Sequence, residues 1–306
     1  MANYADRLSA AIRAKSSRVC VGLDPRVDGL PPPLSDMARS GPGGAAEACR
    51  IFCCEIADAV ADCAAAVKPQ AAFFEALGPA GYQALWDVIA YARALGLVVI
   101  LDAKRSDIGS TAEAYAEAYF APPADLPPVD ALTVNGYLGS DGIRPFVQAA
   151  EKVAGGIYVL AKTSNSSSGE LQDLTLEGPE RGVAVYRRMA ELIAKWGAAG
   201  VGESGYSAVG AVVGATYPEQ LAELRAAVPT VPFLVPGYGA QGAGAAEVAG
   251  AFDDDGLGAV VNSSRGIIVA YRTEPYASRY GPAGYAAAAA AATADMAAAI
   301  NRAIGL

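Results

Sequence analysis

Residues 97–111 read LVVILDAKRSDIGST. Leu97–Leu101 is an unbroken apolar run rich in β-branched residues, the signature of a strand buried on both faces. It stops abruptly at Asp102, Lys104 and Asp107, although only 18% of the chain is charged. A helix-period stretch, Thr111–Tyr119, follows at once. The unit is therefore strand, charged corner, helix.

The same unit recurs along the chain. Short β-branched runs predict strands at Val19–Leu23, Ala65–Lys68, Val98–Asp102, Ala131–Val134, Ile157–Ala161, Val209–Val213, Phe233–Val235 and Ala259–Val261. Between them lie alanine-rich, helix-period stretches such as Ala45–Ala61, Gly81–Leu95, Gly182–Trp196, Pro218–Ala227 and Tyr285–Ala303. Regular alternation with near-continuous apolar strands implies a parallel sheet covered by helices. Eight such units closing on themselves give an α/β fold of the (β/α)8 TIM barrel type, and the length fits. A doubly wound open sheet is the structural rival. The loops Gly29–Gly44, Ala121–Pro128 and Thr163–Gly182 are rich in Pro, Gly or Ser, yet none reads as an interdomain linker. A single barrel domain spanning residues 1–306 is the expectation.

Composition bounds the chemistry. The chain has 306 residues, 53% of them hydrophobic, and a net charge of −9, so it offers no general attraction for nucleic acid or an anionic membrane. An anionic substrate needs a local basic site. The complete absence of histidine removes the commonest general base, every Ser-His-Asp arrangement and the usual zinc ligand. Lysine and carboxylate chemistry is what remains. The five cysteines, Cys20, Cys49, Cys53, Cys54 and Cys63, are odd in number and gathered in the first quarter of the chain, which is no disulfide framework. Cys49 and Cys53, four apart on a helical pattern, read as small core residues rather than a metal pair. The N-terminus has no signal-type apolar core, and the apolar stretch near the C-terminus is alanine-rich and broken by Thr293 and Asp295. A cytoplasmic setting is expected.

In a barrel of this kind the C-terminal strand ends hold the active site. Those ends carry Asp24, Lys68, Asp102 with Lys104, Asn135, Thr163–Ser164, Gly237–Gln241 and Ser263–Arg265. A single charge there reads as a solvated loop residue or an ion pair; four charges at the ends of three adjacent strands do not. Asp102 and Lys104, two apart in an extended segment, point to one side, with Ala103 opposite. Lys68 and Asp24 can reach the same point, and alternating acids and ammonium groups hold one another charged.

A second signal is PGYGAQGA, Pro236–Ala243, which contains G-x-G-x-x-G at Gly237, Gly239 and Gly242. A dinucleotide fold would place that pattern early and end the next strand in an acid, whereas here it is late and the next strand ends in Asn262. The barrel reading wants a phosphate site after strands 7 and 8, where PGYGAQGA and NSSRG fall. Glycine amides, Gly239 among them, with the Arg265 guanidinium would cradle a phosphate.

Asp102-x-Lys104-x-x-Asp107 with Ile108 and Thr111, together with VGLDP, VKPQ, KTSNSSSG, PGYGAQG and SSRG, resembles the orotidine 5′-phosphate decarboxylase family in its longer bacterial branch. The resemblance runs from strand 1 to strand 8. It implies decarboxylation of orotidine 5′-monophosphate with Lys104 as proton donor to C6 of the pyrimidine and Asp102 against the substrate carboxylate. It places Lys68 and Asp24 at the ribose hydroxyls and the charge array, and Ser164 at the pyrimidine edge. Gly239, Gln241 and Arg265 fall at the phosphate. It further implies a homodimer in which Asp107 and Thr111 serve the partner's site, with neither metal nor cofactor. The rivals are a metal-dependent phosphosugar synthase or decarboxylase using Asp102 to hold Mg²⁺, a Schiff-base aldolase using Lys104, and a non-catalytic phosphate-ligand binding module.

Overall fold

The computed structural model describes residues 2–123, 125–239 and 242–306. Eight parallel strands close into a barrel in sequence order: β1 (Val19–Leu23), β2 (Ala66–Pro69), β3 (Val98–Arg105), β4 (Ala131–Val134), β5 (Gly156–Lys162), β6 (Val209–Val213), β7 (Phe233–Val235) and β8 (Ala259–Ser263). Closure is made by β1 against β8, with Cys20 level with Asn262. This is the (β/α)8 TIM barrel, and the open-sheet rival falls.

Each strand is apolar on both faces because each face has its own core. Val21, Val67, Val99, Leu101, Leu132 and Val159 point outward into a cluster shared with the helices, while Cys20, Ala66, Ile100, Tyr158, Val212, Leu234 and Val260 fill the barrel. Side chains alternate across a strand, so two apolar sets interleave as one continuous run. The first helix, Tyr4–Lys15, closes the N-terminal end by sending Tyr4, Leu8 and Ile12 into the inner cluster. The Tyr4 and Tyr158 rings meet edge to face with centroids 5.8 Å apart. Room for them comes from glycine: a Cβ on Gly156 would lie 2.6 Å from the Tyr4 ring, and one on Gly210 the same distance from Tyr158.

Helices cover the outside, among them Pro42–Val60, Gly78–Ala94, Gly109–Phe120, Ser140–Lys152, Val185–Gly197, Pro218–Ala227 and Tyr285–Ala303. The last, with the turn before it, forms a 22-residue segment, Pro282–Ala303, containing an 18-residue window whose mean hydropathy of 1.2 reaches that of a membrane span by length and composition. The sequence reading set it aside for its interruptions. In the fold it buries Ala288, Ala289, Ala292, Thr293, Met296 and Ile300 against the helix Pro42–Val60 and β1.

Candidate active site

With the N-terminal end plugged, the strands open at their C-terminal ends, and the charges gather there. Asp102 is the centre. Its Oδ2 accepts from Lys68 Nζ at 2.8 Å and Gln70 Nε2 at 3.0 Å, and its Oδ1 from Lys104 Nζ at 2.6 Å and Thr133 Oγ1 at 2.9 Å. Four donors on one carboxylate fix its orientation. The buried Asp102 carboxyl loses hydration, but Lys68 and then Lys104 outweigh that cost and hold its pKa well below the usual carboxylate range. Burial likewise opposes the charged form of Lys68, and Asp102 and Asp24 overcome it, raising the ammonium pKa.

Backbone geometry puts these groups side by side. The β3–β4 pairing shifts register between Leu101 and Arg105, and Lys104 sits there with φ of 49°, a left-handed conformation that costs energy in a residue with a Cβ. Thr133 holds the corner: its hydroxyl oxygen accepts the amides of Ala103 and Lys104, both at 3.0 Å, while donating to Asp102. Arg105 turns away and pairs with Glu75 and the Tyr119 hydroxyl. Lys104 is consequently the member of the array that faces the opening, its side chain 47% exposed against 5% for Lys68.

Asp24 follows β1. Among the described residues its Oδ1 is buried without a hydrogen-bond partner, as are Asn262 Oδ1 and Ser264 Oγ at the end of β8. Buried orphan oxygens are costly, and three of them at the strand ends call for a polar ligand. Arg265 borders a cavity of about 140 Å³ with Asp24, Arg26 and Arg272. Gly239, Ser263 and Gly266 share a cleft of about 320 Å³. Two glycine amides of the PGYGAQGA loop serve the loop itself, since Gly239 donates to the Ala243 carbonyl and Gly242 to that of Gly239. That narrows the glycine cradle. Gln241 lies outside the described residues.

Ser164 stands past β5, packed on Gly214 after β6: a Cβ on Gly214 would come within 2.8 Å of Ser164 Cβ. Among the described residues no hydrogen bond or ion pair joins Asp107 or Thr111 to Asp102. The Asp107 carboxylate accepts the Ile108 amide at 2.9 Å, and Thr111 is exposed on the helix Gly109–Phe120. A larger, mostly apolar cavity of about 400 Å³, lined by Val153, Ile157, Trp196 and Val209, lies at the opposite end of the barrel and holds none of these charges.

Sequence reasoning brought Asp24, Lys68, Asp102 and Lys104 together and missed Gln70, Thr133 and Lys162. Gln70 was in plain view as the last residue of VKPQ. Thr133 is a lone hydroxyl inside an apolar strand, where nothing but register shows that it meets Asp102. Lys162, which ends β5, is fully buried and paired to Asp173.

Fold and site define a (β/α)8-barrel enzyme with a clamped carboxylate and an exposed ammonium at its strand ends. The sequence profile described as Orotidine 5′-phosphate decarboxylase / HUMPS family matches residues 17–280. An orotidine 5′-phosphate decarboxylase of Rhodopirellula baltica is 50% identical over 300 residues, covering 97% of this chain and 98% of that protein. One from Deinococcus radiodurans is 43% identical over 265 residues, 86% of this chain and 88% of that one. Among solved structures, Leishmania donovani OMP decarboxylase superposes with a TM-score of 0.74 at 33% identity, covering 99% of each chain. The chain belongs to the orotidine 5′-phosphate decarboxylase / HUMPS family.

Proposed function

We propose that this chain is a carboxy-lyase that converts orotidine 5′-monophosphate to uridine 5′-monophosphate, the last step of de novo pyrimidine nucleotide synthesis, through the Lys68–Asp102–Lys104 array without a cofactor. The observation that carries the reading is the Asp102 carboxylate, held by four donors beside an exposed ammonium. In the reaction the bond from C6 to the carboxylate breaks and CO₂ leaves. The electron pair stays on C6, in the ring plane, where no ring orbital delocalises it. Lys104 supplies the nearby positive charge and then the proton that forms the new C6–H bond, and solvent reprotonates it.

Asp102 next to the substrate carboxylate repels it in the ground state, and the repulsion fades as CO₂ departs. At about 4 Å and an effective dielectric of about 20 that is worth ~4 kcal/mol, or roughly three decades of rate. The four donors matter here because a fixed carboxylate cannot swing away. The rest of the acceleration falls to the Lys104 ammonium and to phosphate binding energy expressed in the transition state. Arg265 and the Gly239–Gln241 loop take the phosphate, Asp24 and Lys68 the ribose hydroxyls, and Ser164 the pyrimidine edge. A metal-dependent synthase would want a second acid beside Asp102, whereas the neighbour at 2.8 Å is the Lys68 ammonium. A Schiff-base aldolase needs an amine free to attack a carbonyl, whereas the Lys104 Nζ donates to Asp102 at 2.6 Å.

Asp107 and Thr111 act on a partner's substrate in a homodimer. Large hydrophobic side chains are exposed on the flanking segments, Ile108 at 53%, Tyr137 at 74%, and Tyr115 and Leu138, and a Cβ on Gly142 would meet both the Asp107 carbonyl and Leu138 Cβ within 3.3 Å. Burying such side chains against a second copy is the physical gain. Five free cysteines, four of them buried, suit the reducing cytoplasm.

The test is to follow orotidine 5′-monophosphate spectrophotometrically with EDTA present. Steady conversion is expected. Conversion that disappears in EDTA and returns with Mg²⁺ would favour the synthase reading.

A further inference from the structure

Lys162 is the one lysine described as fully buried, with 0% side-chain exposure, and its Nζ lies 2.6 Å from Asp173 Oδ1. Two rings line the ammonium, Tyr217 with its centroid at 4.4 Å and Tyr186 at 5.6 Å. Neither the lysine nor the aspartate belongs to the Asp102 cluster. The two residues bracket the segment that carries Ser164.

Just inside the ion pair a second clamp closes the same segment. The Thr163 amide donates to Gln172 Oε1 at 2.9 Å, and Gln172 Nε2 donates back to Thr163 Oγ1 at 2.8 Å. The Gln172 amide donates to the Ser168 carbonyl at 2.9 Å, and the Ser168 hydroxyl meets the Tyr217 hydroxyl at 3.3 Å. Asp173 also accepts from Gln220 Nε2 at 3.3 Å. Thr216 Oγ1 donates to the Ser164 carbonyl at 3.2 Å. Residues 163–172 are thus a closed turn, tied at both ends and pressed onto the end of β6.

A buried ammonium is an expensive way to hold a turn. A well-packed apolar residue among two tyrosines would serve stability as well or better. What the ion pair adds is direction: it fixes where the segment leaves β5, two residues before Ser164, and so where the Ser164 hydroxyl stands.

We propose that Lys162 and Asp173 form a latch that positions Ser164, making both positioning residues for recognition of the pyrimidine ring. The proposal rests on the reading of Ser164 as the pyrimidine contact. Loosening the latch should weaken the grip on the base and leave the grip on ribose and phosphate, which other strand ends supply.

The experiment compares Asp173→Asn with the double variant Lys162→Met/Asp173→Asn. The single variant strands a buried charge and should melt early. The double variant removes that charge and should regain stability near wild type. Both should show KM for orotidine 5′-monophosphate raised about fivefold or more, corresponding to one lost polar contact, with kcat less affected. The inhibition constant of ribose 5-phosphate, which lacks the base, should stay within about twofold. Amide hydrogen exchange over residues 163–172 should quicken in both variants. Unchanged exchange, or a double variant with wild-type KM, would overturn the latch, as would a parallel loss of ribose 5-phosphate affinity. Ser164→Ala with wild-type KM would instead remove the reading of Ser164, an outcome the exchange measurement separates from failure of the latch.

Discussion

Asp102 and Lys68 stabilise each other in a way that fixes how the site responds to pH. The Asp102 pKa is lowered, so its contribution is present above the unfolded value of about 4 and is lost only as pH falls through the lower folded value. The Lys68 pKa is raised, so its contribution is complete below the unfolded value of about 10.5 and is lost only as pH rises through the higher folded value. Between about pH 5 and pH 9 neither group titrates. The kcat profile should therefore carry no inflection from this pair across that window. An inflection that moves when Thr133→Val removes one donor from Asp102 would contradict the assignment. At this scale the charged residues were legible in the sequence and their neutral partners were not. Asp102 and Lys104 announce themselves because charge is rare in this chain, whereas Gln70 and Thr133 are ordinary until the strand register places them within 3.0 Å of the carboxylate.

Among the elements, β1, β4, β6 and β7 have the bounds that their β-branched runs predict, because a short apolar strand begins and ends where its burial does. β2 sits one residue later than predicted, and β3, β5 and β8 run further, to Arg105, Lys162 and Ser263. The extensions of β3 and β5 pass through register shifts, and a bulge leaves no mark in hydrophobic periodicity; that of β8 carries the polar Asn262 and Ser263, which an apolar run does not include. The helix Tyr4–Lys15 was not anticipated either, since its role as a plug follows from closure of the barrel. The β1–β8 seam gives a prediction at this scale. An added Cβ on Gly22 would fall 2.8 Å from Ser264 Cβ and 3.3 Å from Ser264 Cα. Gly22→Ala should therefore cost about 1–3 kcal/mol and lower Tm by several degrees. It should also raise KM, because the shift reaches Arg265. Gly43→Ala, with nothing within 4 Å of the new Cβ, is the control. A Gly22→Ala protein as stable as wild type would show that β8 yields there at no cost.

For the whole molecule, the closed barrel was readable from eight repeats of one unit, but the assembly is not encoded in any repeat. The proposed homodimer rests on the exposed Ile108 next to Asp107 and on the exposed Tyr137 and Leu138 of the neighbouring turn. If Asp107 serves the neighbouring subunit, Lys104→Ala and Asp107→Asn proteins should each be nearly inactive alone and regain activity when mixed and allowed to exchange subunits. A mixed dimer then has one site with both defects and one with neither. Random exchange makes about half the dimers mixed, so roughly a quarter of the sites are intact in an isologous dimer. No recovery, with exchange confirmed by mass, would place Asp107 in its own chain's site or outside the chemistry.

The chemistry turns on the Lys104 ammonium that Asp102 holds at the mouth of the barrel. The most direct measurement is the single-turnover rate of orotidine 5′-monophosphate decarboxylation by wild type and Lys104→Ala, with uridine 5′-monophosphate affinity measured on both. The predicted result is a rate lower by several orders of magnitude in the variant, with product affinity changed by no more than about tenfold, a loss in the transition state rather than in binding. A variant that still decarboxylates within about tenfold of wild type would contradict the claim that Lys104 carries the reaction.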